Sequence, residues 1–279
     1  MTQNIKPIRP VLRWFGGKWL LAPWILQHFP AHRVYVEPFG GAASVLLRKE
    51  RSTAEVYNDL DMEVVNLFRV LRERGVELEQ VLRLTPYARE EFAQSKEPSL
   101  DPLEQARRTV VRSCMGFGSN AHNKVTGFRR FSKGERAIPS QDWRNYPEAL
   151  AGLVERLRGV VIENRDALAV IEAHDSPETL HYIDPPYVTS TRGRGNDYRH
   201  ELTDTDHKAL AELLHTVEGM VVLSGYRSPL YEQLFADWYK VERAALADGA
   251  RERAETLWLN PACEAGQKQQ GLDLVGGGA

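Results

Sequence analysis

Five short apolar runs limit what this chain can fold into. They read "RVYVEPFGG" (33–41), "AEVYND" (54–59), "GVVIENRD" (159–166), "TLHYIDPPY" (179–187) and "GMVVLSGY" (219–226), and each ends at glycine, proline or a polar group. Such short runs, bounded by turn or helix signals, predict strands of the buried type. The first two strands are expected at 33–36 and 54–57. Helix signals lie between the runs. "DMEVVNLFRVLRERG" carries one apolar stripe through Val64, Val65, Leu67, Phe68 and Leu71, with Gly75 as its expected stop. Thr203 is placed to cap "TDTDHKALAELLHTVEG", and Ser228 with Pro229 opens "SPLYEQLFADW". "WYKVERAALA" and "AETLWLNP" flank "DGARER" and predict a terminal hairpin. Strands alternating with helices imply an α/β fold: a mainly parallel sheet with helices on both faces, joined by one antiparallel element.

The middle of the chain breaks this alternation. Residues 76–154 hold helix signals and loops but no convincing strand. "TPYAREEFAQ" and "DPLEQARRTVVRSCMG" each open on a capping residue followed by proline, and Asp101 with Glu104 fits a capping box. The organisation expected is a sheet domain built from 1–75 and 155–265, an inserted lobe at 76–154, and a flexible tail at 266–279. The 279 residues are enough for one large core or a core with a smaller lobe, and the formal net charge of -2 rules out a general polycation. Any polyanion is met locally. Between 105 and 145 lie Arg107, Arg108, Arg112, Lys124, Arg129, Arg130, Lys133, Arg136 and Arg144 against Glu135 and Asp142: 9 basic minus 2 acidic, or +7. Phe117, Phe128, Phe131, Trp143 and Tyr146 are interleaved, a composition that suits phosphate contacts. The segment 189–200 adds Arg192, Arg194 and Arg199. The two cysteines, Cys114 and Cys263, lack a ligand spacing and read as reduced bystanders. With no signal core and no apolar run of membrane length, a cytoplasmic location is expected.

Three strand ends carry the chemistry. In "VEPFGGAASVLL" (36–47) an acid and two glycines lie between a strand and a helix, where open α/β sheets bind ligands. In "YNDLD" (57–61) Asp59 is placed for a ribose hydroxyl pair, while Asp59 or Asp61 can cap the next helix. In "DPPY", Asp184 and the Pro185 carbonyl can accept hydrogen bonds from a planar amino group, and Tyr187 can stack on its ring. Fixed acceptors that draw those hydrogens out of plane localise the nitrogen lone pair and make it nucleophilic. That turn chemistry suits any planar amino group: adenine, cytosine N4, an RNA adenine or a protein amide. A DNA-binding regulator without turnover is the reading from a different class.

Taken together, "RWFGGK", "EPFGGAASV", "NDLDMEV" and "DPPY" occur in the order and spacing of the Dam-like DNA adenine methyltransferases, which the chain resembles from Arg13 to about Pro261. The resemblance implies a Rossmann-like methyltransferase fold with a mostly parallel seven-stranded sheet and an inserted, mainly helical target-recognition lobe. It implies S-adenosylmethionine as donor, a flipped adenine in double-stranded DNA as acceptor, and no metal. By the resemblance Trp14, Lys18, Glu37, Phe39, Gly40, Gly41, Asp59, Asp166 and Asp184 serve the donor. By the same resemblance Asp184, Pro185, Pro186 and Tyr187 are catalytic and Arg13 lies near the DNA; the local basic composition adds Lys124, Arg129, Arg130, Lys133, Arg192, Arg194 and Arg199 as the expected DNA contacts. It is compatible both with a solitary enzyme and with one paired to a restriction endonuclease.

Overall fold

The computed structural model describes residues 7–118, 126–130, 138–192, 197–247 and 251–276. In chain order the elements are α1 (Ala22–Leu26), β1 (Val34–Glu37), α2 (Ser44–Arg48), β2 (Ala54–Asn58), α3 (Met62–Leu84), α4 (Arg89–Gln94), α5 (Pro102–Met115), α6 (Pro139–Arg144), α7 (Leu150–Leu157), β3 (Val160–Glu163), α8 (Ala167–Ala173), β4 (Thr179–Ile183), α9 (Asp204–Leu214), β5 (Met220–Gly225), α10 (Pro229–Leu234), β6 (Tyr239–Ala247), β7 (Arg251–Leu259) and α11 (Pro261–Gly276). The seven strands form one sheet in the order β3-β2-β1-β4-β5-β7-β6. β1 pairs in parallel with β2 and β4, and β4 with β5. β7 runs antiparallel to both β5 and β6, so the expected hairpin closes one edge of the sheet. The mostly parallel α/β architecture expected from the sequence is the one observed.

The chain divides into two compact units. One comprises Met1–Trp19, Gly41–Arg48 and Asp61–Asn164; the other comprises Leu20–Gly40, Lys49–Leu60 and Arg165–Ala279. In the second unit β4 and β5 are buried along their whole length, as central parallel strands should be. Ile183, Val221, Leu223 and Trp258 pack under Leu210 and Leu214 of α9 and Tyr231 of α10. Thr203 caps α9 through a capping box with Asp206, and Ser228 caps α10 by accepting from Tyr231 N at 3.1 Å. No helix among the described residues is long and apolar enough to cross a membrane.

In the first unit three local expectations are corrected. Gly75 does not stop its helix: α3 continues to Leu84, with a kink at Arg74 (φ -136°, ψ 30°). Thr85 does not open α4. It closes α3, its hydroxyl donating to Val81 O at 2.7 Å, and α4 begins after Ala88 without a side-chain cap. Asp101 does cap α5, accepting from Leu103 N at 3.1 Å, but without a capping box. Ser99 Oγ accepts from Asp101 N instead, and the Glu104 carboxylate turns to Arg107 and Arg108. A charged partner outcompetes a neutral amide for a carboxylate.

Candidate active site

The strand order reverses between β1 and β4. From β1 the chain builds outward through β2, then crosses to β4 and builds the other way. Crevices at the carboxyl ends of such strands are where open α/β sheets hold ligands. The segments after β1, β2 and β4, all in the second unit, carry Phe39 and Gly40, Asp59, and Asp184 with its prolines and Tyr187. Glu37, last in β1, is buried and accepts a hydrogen bond from the Tyr35 hydroxyl at 2.9 Å. Phe39 is half-buried against the core cluster under α9. Gly40 is dictated by packing: a Cβ there would lie 2.1 Å from the Tyr57 ring.

Asn58, a residue the sequence reading passed over, ties these ends together. Fully buried, it donates from Nδ2 to Pro38 O (2.9 Å) and Arg165 O (3.1 Å), and its Oδ1 accepts from Arg165 N (2.9 Å). Its own carbonyl accepts from Gly40 N at 2.8 Å. One side chain thus fixes the turns that precede Phe39, Asp59 and Asp166. Asp59 is half-buried, whereas Asp61 takes the capping role, accepting from Glu63 N at 3.0 Å. Asp166 caps α8 with Oδ1, which accepts from Leu168 N (3.0 Å) and Ala169 N (3.2 Å).

Beyond β4, Asp184 is half-buried, Pro185 buried, Pro186 half-buried and Tyr187 buried. The Tyr187 ring meets Tyr226 edge to face, with centroids 4.7 Å apart at 78°. Its hydroxyl donates to Glu255 Oε1, and Ser224 Oγ donates to the same oxygen at 2.7 Å. Burial, reinforced by the Asp184 and Glu255 carboxylates, pushes the Tyr187 phenol well above its ordinary range. It therefore stays protonated and acts as a donor. Ser224, Tyr226 and Glu255 went unnoticed in the sequence. The available signal for Glu255 was an acid set in the apolar strand "AETLWL".

The expected residues of the first unit form their own constellation. Gly17 N donates to Trp14 O at 3.2 Å, and buried Lys18 donates to Gly16 O at 2.8 Å, so "RWFGGK" is a tight turn. Gly41 has φ 47°, and a Cβ on it would lie 2.6 Å from Trp14 Nε1. Two residues on, Ala43 adopts φ 51°, a left-handed conformation that costs a side chain about 1–2 kcal/mol. Arg13 is clamped to α5 through Ser113, which accepts from Arg13 N at 2.8 Å and donates to Arg13 O at 3.1 Å. Burial and then the neighbouring Arg129 charge lower its pKa.

The basic residues divide sharply. Arg107 pairs with Glu104 and Glu91 (both 2.7 Å), Arg108 with Glu104 (2.7 Å), and Arg112 with Glu63. Arg107 holds the Glu104 carboxyl down to about 2. The +7 count is therefore corrected: its α5 arginines are neutralised by acids at positions outside the counted window. Trp143 and Tyr146, also counted, are core residues, the Trp143 indole N–H donating to Thr85 O (2.8 Å) and the Tyr146 hydroxyl to Val11 O (2.6 Å). Arg192 has a side chain 4% exposed and is bonded to Glu201. By contrast Arg130 and Phe117 are exposed, and Arg129 is half-buried. Phe117 and Arg129 bracket a short antiparallel contact (Phe117 N to Gly127 O, 2.8 Å; Arg129 N to Met115 O, 2.6 Å). Arg199 is exposed, and Lys124, Lys133 and Arg194 lie outside the described residues. Both thiols are buried, which raises each to about 12, and no cluster of three or more His, Cys, Asp or Glu suited to a metal occurs among the described residues.

Comparison with known proteins places the chain among methyltransferases. The family model for D12 class N6 adenine-specific DNA methyltransferases matches residues 14–248. A DNA adenine methylase of Serratia marcescens is 27% identical over 253 residues, spanning 85% of this chain and 88% of the relative. A type II methyltransferase of Lactococcus lactis subsp. cremoris is 27% identical over 280 residues, spanning 90% and 93%. A DNA adenine methylase of Escherichia coli strain K12 is 28% identical over 200 residues, 66% of each chain.

Proposed function

The chain belongs to the D12 class N6 adenine-specific DNA methyltransferase family, and we propose from that membership that it methylates the amino group of an adenine swung out of duplex DNA, with S-adenosylmethionine as donor. The observation that carries this reading is the Asp184–Tyr187 turn at the carboxyl end of β4, next to β1 at the point where the strand order reverses. The strand ends fit such a donor chemically. Asp59 is an acceptor for a ribose hydroxyl pair, and Asp166 Oδ2, which takes neither of the capping bonds, is an acceptor for an adenine amino group. When bound, S-adenosylmethionine supplies an electrophilic methyl group on a positively charged sulfur. The protein's part is to prepare the nucleophile. Asp184 and the Pro185 carbonyl accept the two amino hydrogens of the target, which withdraws the lone pair from the ring. Tyr187 bounds the base. The proton leaves the nitrogen after methyl transfer, when that nitrogen is cationic and acidic, so no covalent enzyme intermediate is required.

DNA phosphates are met by Arg129 and Arg130 in the first unit and by Arg199 in the second, with Arg192 holding its own segment through Glu201. A substrate of cellular DNA accords with a cytoplasmic enzyme. The test is transfer of tritiated methyl to unmethylated plasmid DNA, followed by digestion and nucleoside chromatography. N6-methyladenine is the expected product; N4-methylcytosine, or label only in RNA, would overturn the reading. Asp184→Ala should slow single-turnover transfer at least about 10²-fold, the usual cost of losing a fixed transition-state acceptor.

A further inference from the structure

We propose that Glu255, with Ser224, is a positioning residue that sets the attitude of the Tyr187 ring. The inference rests on the reading of Asp184–Tyr187 as the catalytic turn and adds the device that holds it. Leu223 and Trp258 belong to the core cluster on one face of the sheet. Side chains alternate along a strand, so Ser224 and Glu255 project from the opposite face. There Glu255, 3% exposed, receives both the Tyr187 and the Ser224 hydroxyl hydrogens on Oε1. The 3.2 Å separation of the two hydroxyls closes a triangle. The ring is thus held at two places: its hydroxyl by the carboxylate, its body by the near-perpendicular contact with Tyr226, centroids 4.7 Å apart.

A buried carboxylate is a poor choice for stability alone. Its desolvation is only offset by charge-assisted hydrogen bonds, and an apolar residue of similar volume commonly serves a core as well or better. What an acid provides is direction. A carboxylate oxygen defines where a protonated phenol must place its hydroxyl. The turn at 184–187 lies outside the strand ladder, so it needs such an anchor, and a misplacement of about 1 Å at a reacting centre can cost about 10²-fold in rate.

The experiment compares Glu255→Gln, Glu255→Ala, Tyr187→Phe, the Glu255→Gln/Tyr187→Phe double variant and Asp184→Ala in the full chain. Single-turnover methyl transfer to unmethylated plasmid DNA, calorimetric affinity for S-adenosylmethionine and thermal melting are measured on each. Glutamine keeps an acceptor of the same size, so Glu255→Gln should transfer roughly 10-fold slower and Glu255→Ala about 10²-fold slower. Donor affinity should stay within about two-fold in both, because the donor is held by other acids. The double variant should be no slower than the slower single variant, since both act through one bond. If Glu255→Ala does not fold, the glutamine variant and the double variant decide. Wild-type transfer by Glu255→Gln with Asp184→Ala inactive would overturn the role of Glu255 and leave the catalytic turn standing. So would multiplicative effects in the double variant, or a rate loss matched by an equal loss of donor affinity. Wild-type transfer by Asp184→Ala would instead remove the turn itself from catalysis.

Discussion

A methyl group at position 75 would sit 2.5 Å from Val154 Cγ2. That one distance reverses an expectation drawn from helix propensity. In the interior of an exposed helix, Gly→Ala stabilises by about 1 kcal/mol. Here the helix α3 turns its glycine onto α7, and a β-branched side chain in a helix has essentially one χ1 rotamer, so Val154 cannot swing aside cheaply. Overpacking of this kind costs about 1–3 kcal/mol. Gly75→Ala should therefore lower the melting temperature, and Gly75→Ala/Val154→Ala should recover the part due to the clash, a non-additivity read directly by thermal melting of the four proteins. A Gly75→Ala protein more stable than wild type would show that α3 and α7 do not pack this closely. Gly40 obeys the same logic against Tyr57. Gly40, beside a candidate ligand loop, is thus accounted for by its neighbour, whereas Gly16 at φ 71° and Gly41 at φ 47° are required by their backbone.

At the scale of elements, α5 shows why a run of arginines along the sequence is not a basic surface. Glu104 lies one helical turn before Arg107 and Arg108, but Glu91 on α4 and Glu63 on α3 meet the arginines only in three dimensions. The prediction separates two pairs. Arg129→Gln/Arg130→Gln should weaken DNA binding and flatten its dependence on salt by about 0.9 for each phosphate no longer neutralised. Arg107→Gln/Arg108→Gln should leave that slope unchanged and lower the melting temperature, because it strands Glu104 and Glu91. Binding isotherms across a series of potassium chloride concentrations measure both. A slope flattened by the α5 pair alone would move the DNA surface to that helix. The elements themselves were largely legible. Apolar runs bounded by turn residues marked the strands, since burial on both faces demands them in β4 and β5; β3, at the sheet edge with Val161 47% exposed, is not buried as its run suggested. Thr203 and Ser228 marked helix starts because capping is local chemistry. Thr85 failed for the same reason in reverse: a threonine before proline looks like an opening, and only the preceding turn of α3 reveals that it is an ending.

For the molecule as a whole, the sequence displayed the groups proposed to face a ligand and concealed those that hold them. Asp59, Asp166 and Asp184 stand at strand ends within recognisable motifs, whereas Asn58, Ser224 and Glu255 act through partners 20 or more residues away: Asn58 on Pro38, Tyr187 on Ser224 and Glu255. Nothing local announces such pairings. The division of labour proposed among the strand-end acids nevertheless makes a prediction about global stability. A ligand that binds only the folded chain stabilises it, by about 2.7 kcal/mol at a hundred times its dissociation constant. S-adenosylmethionine, or its demethylated product, should therefore raise the melting temperature of the wild-type protein by several degrees. Asp59→Ala removes a charged acceptor worth about 1.5–3 kcal/mol, so most of the shift should vanish at the same ligand concentration. On the proposed roles, Asp184→Ala should keep the shift while losing transfer, because there its carboxylate serves the amino group of the base and not the ribose or adenine of the donor. Scanning the three proteins with and without donor, in the absence of DNA, tests this separation. An unchanged shift in Asp59→Ala would assign the ribose to another residue. A shift lost in Asp184→Ala would mean that its carboxylate holds the donor as well as the base, and the fall in its transfer rate would then report binding and chemistry together.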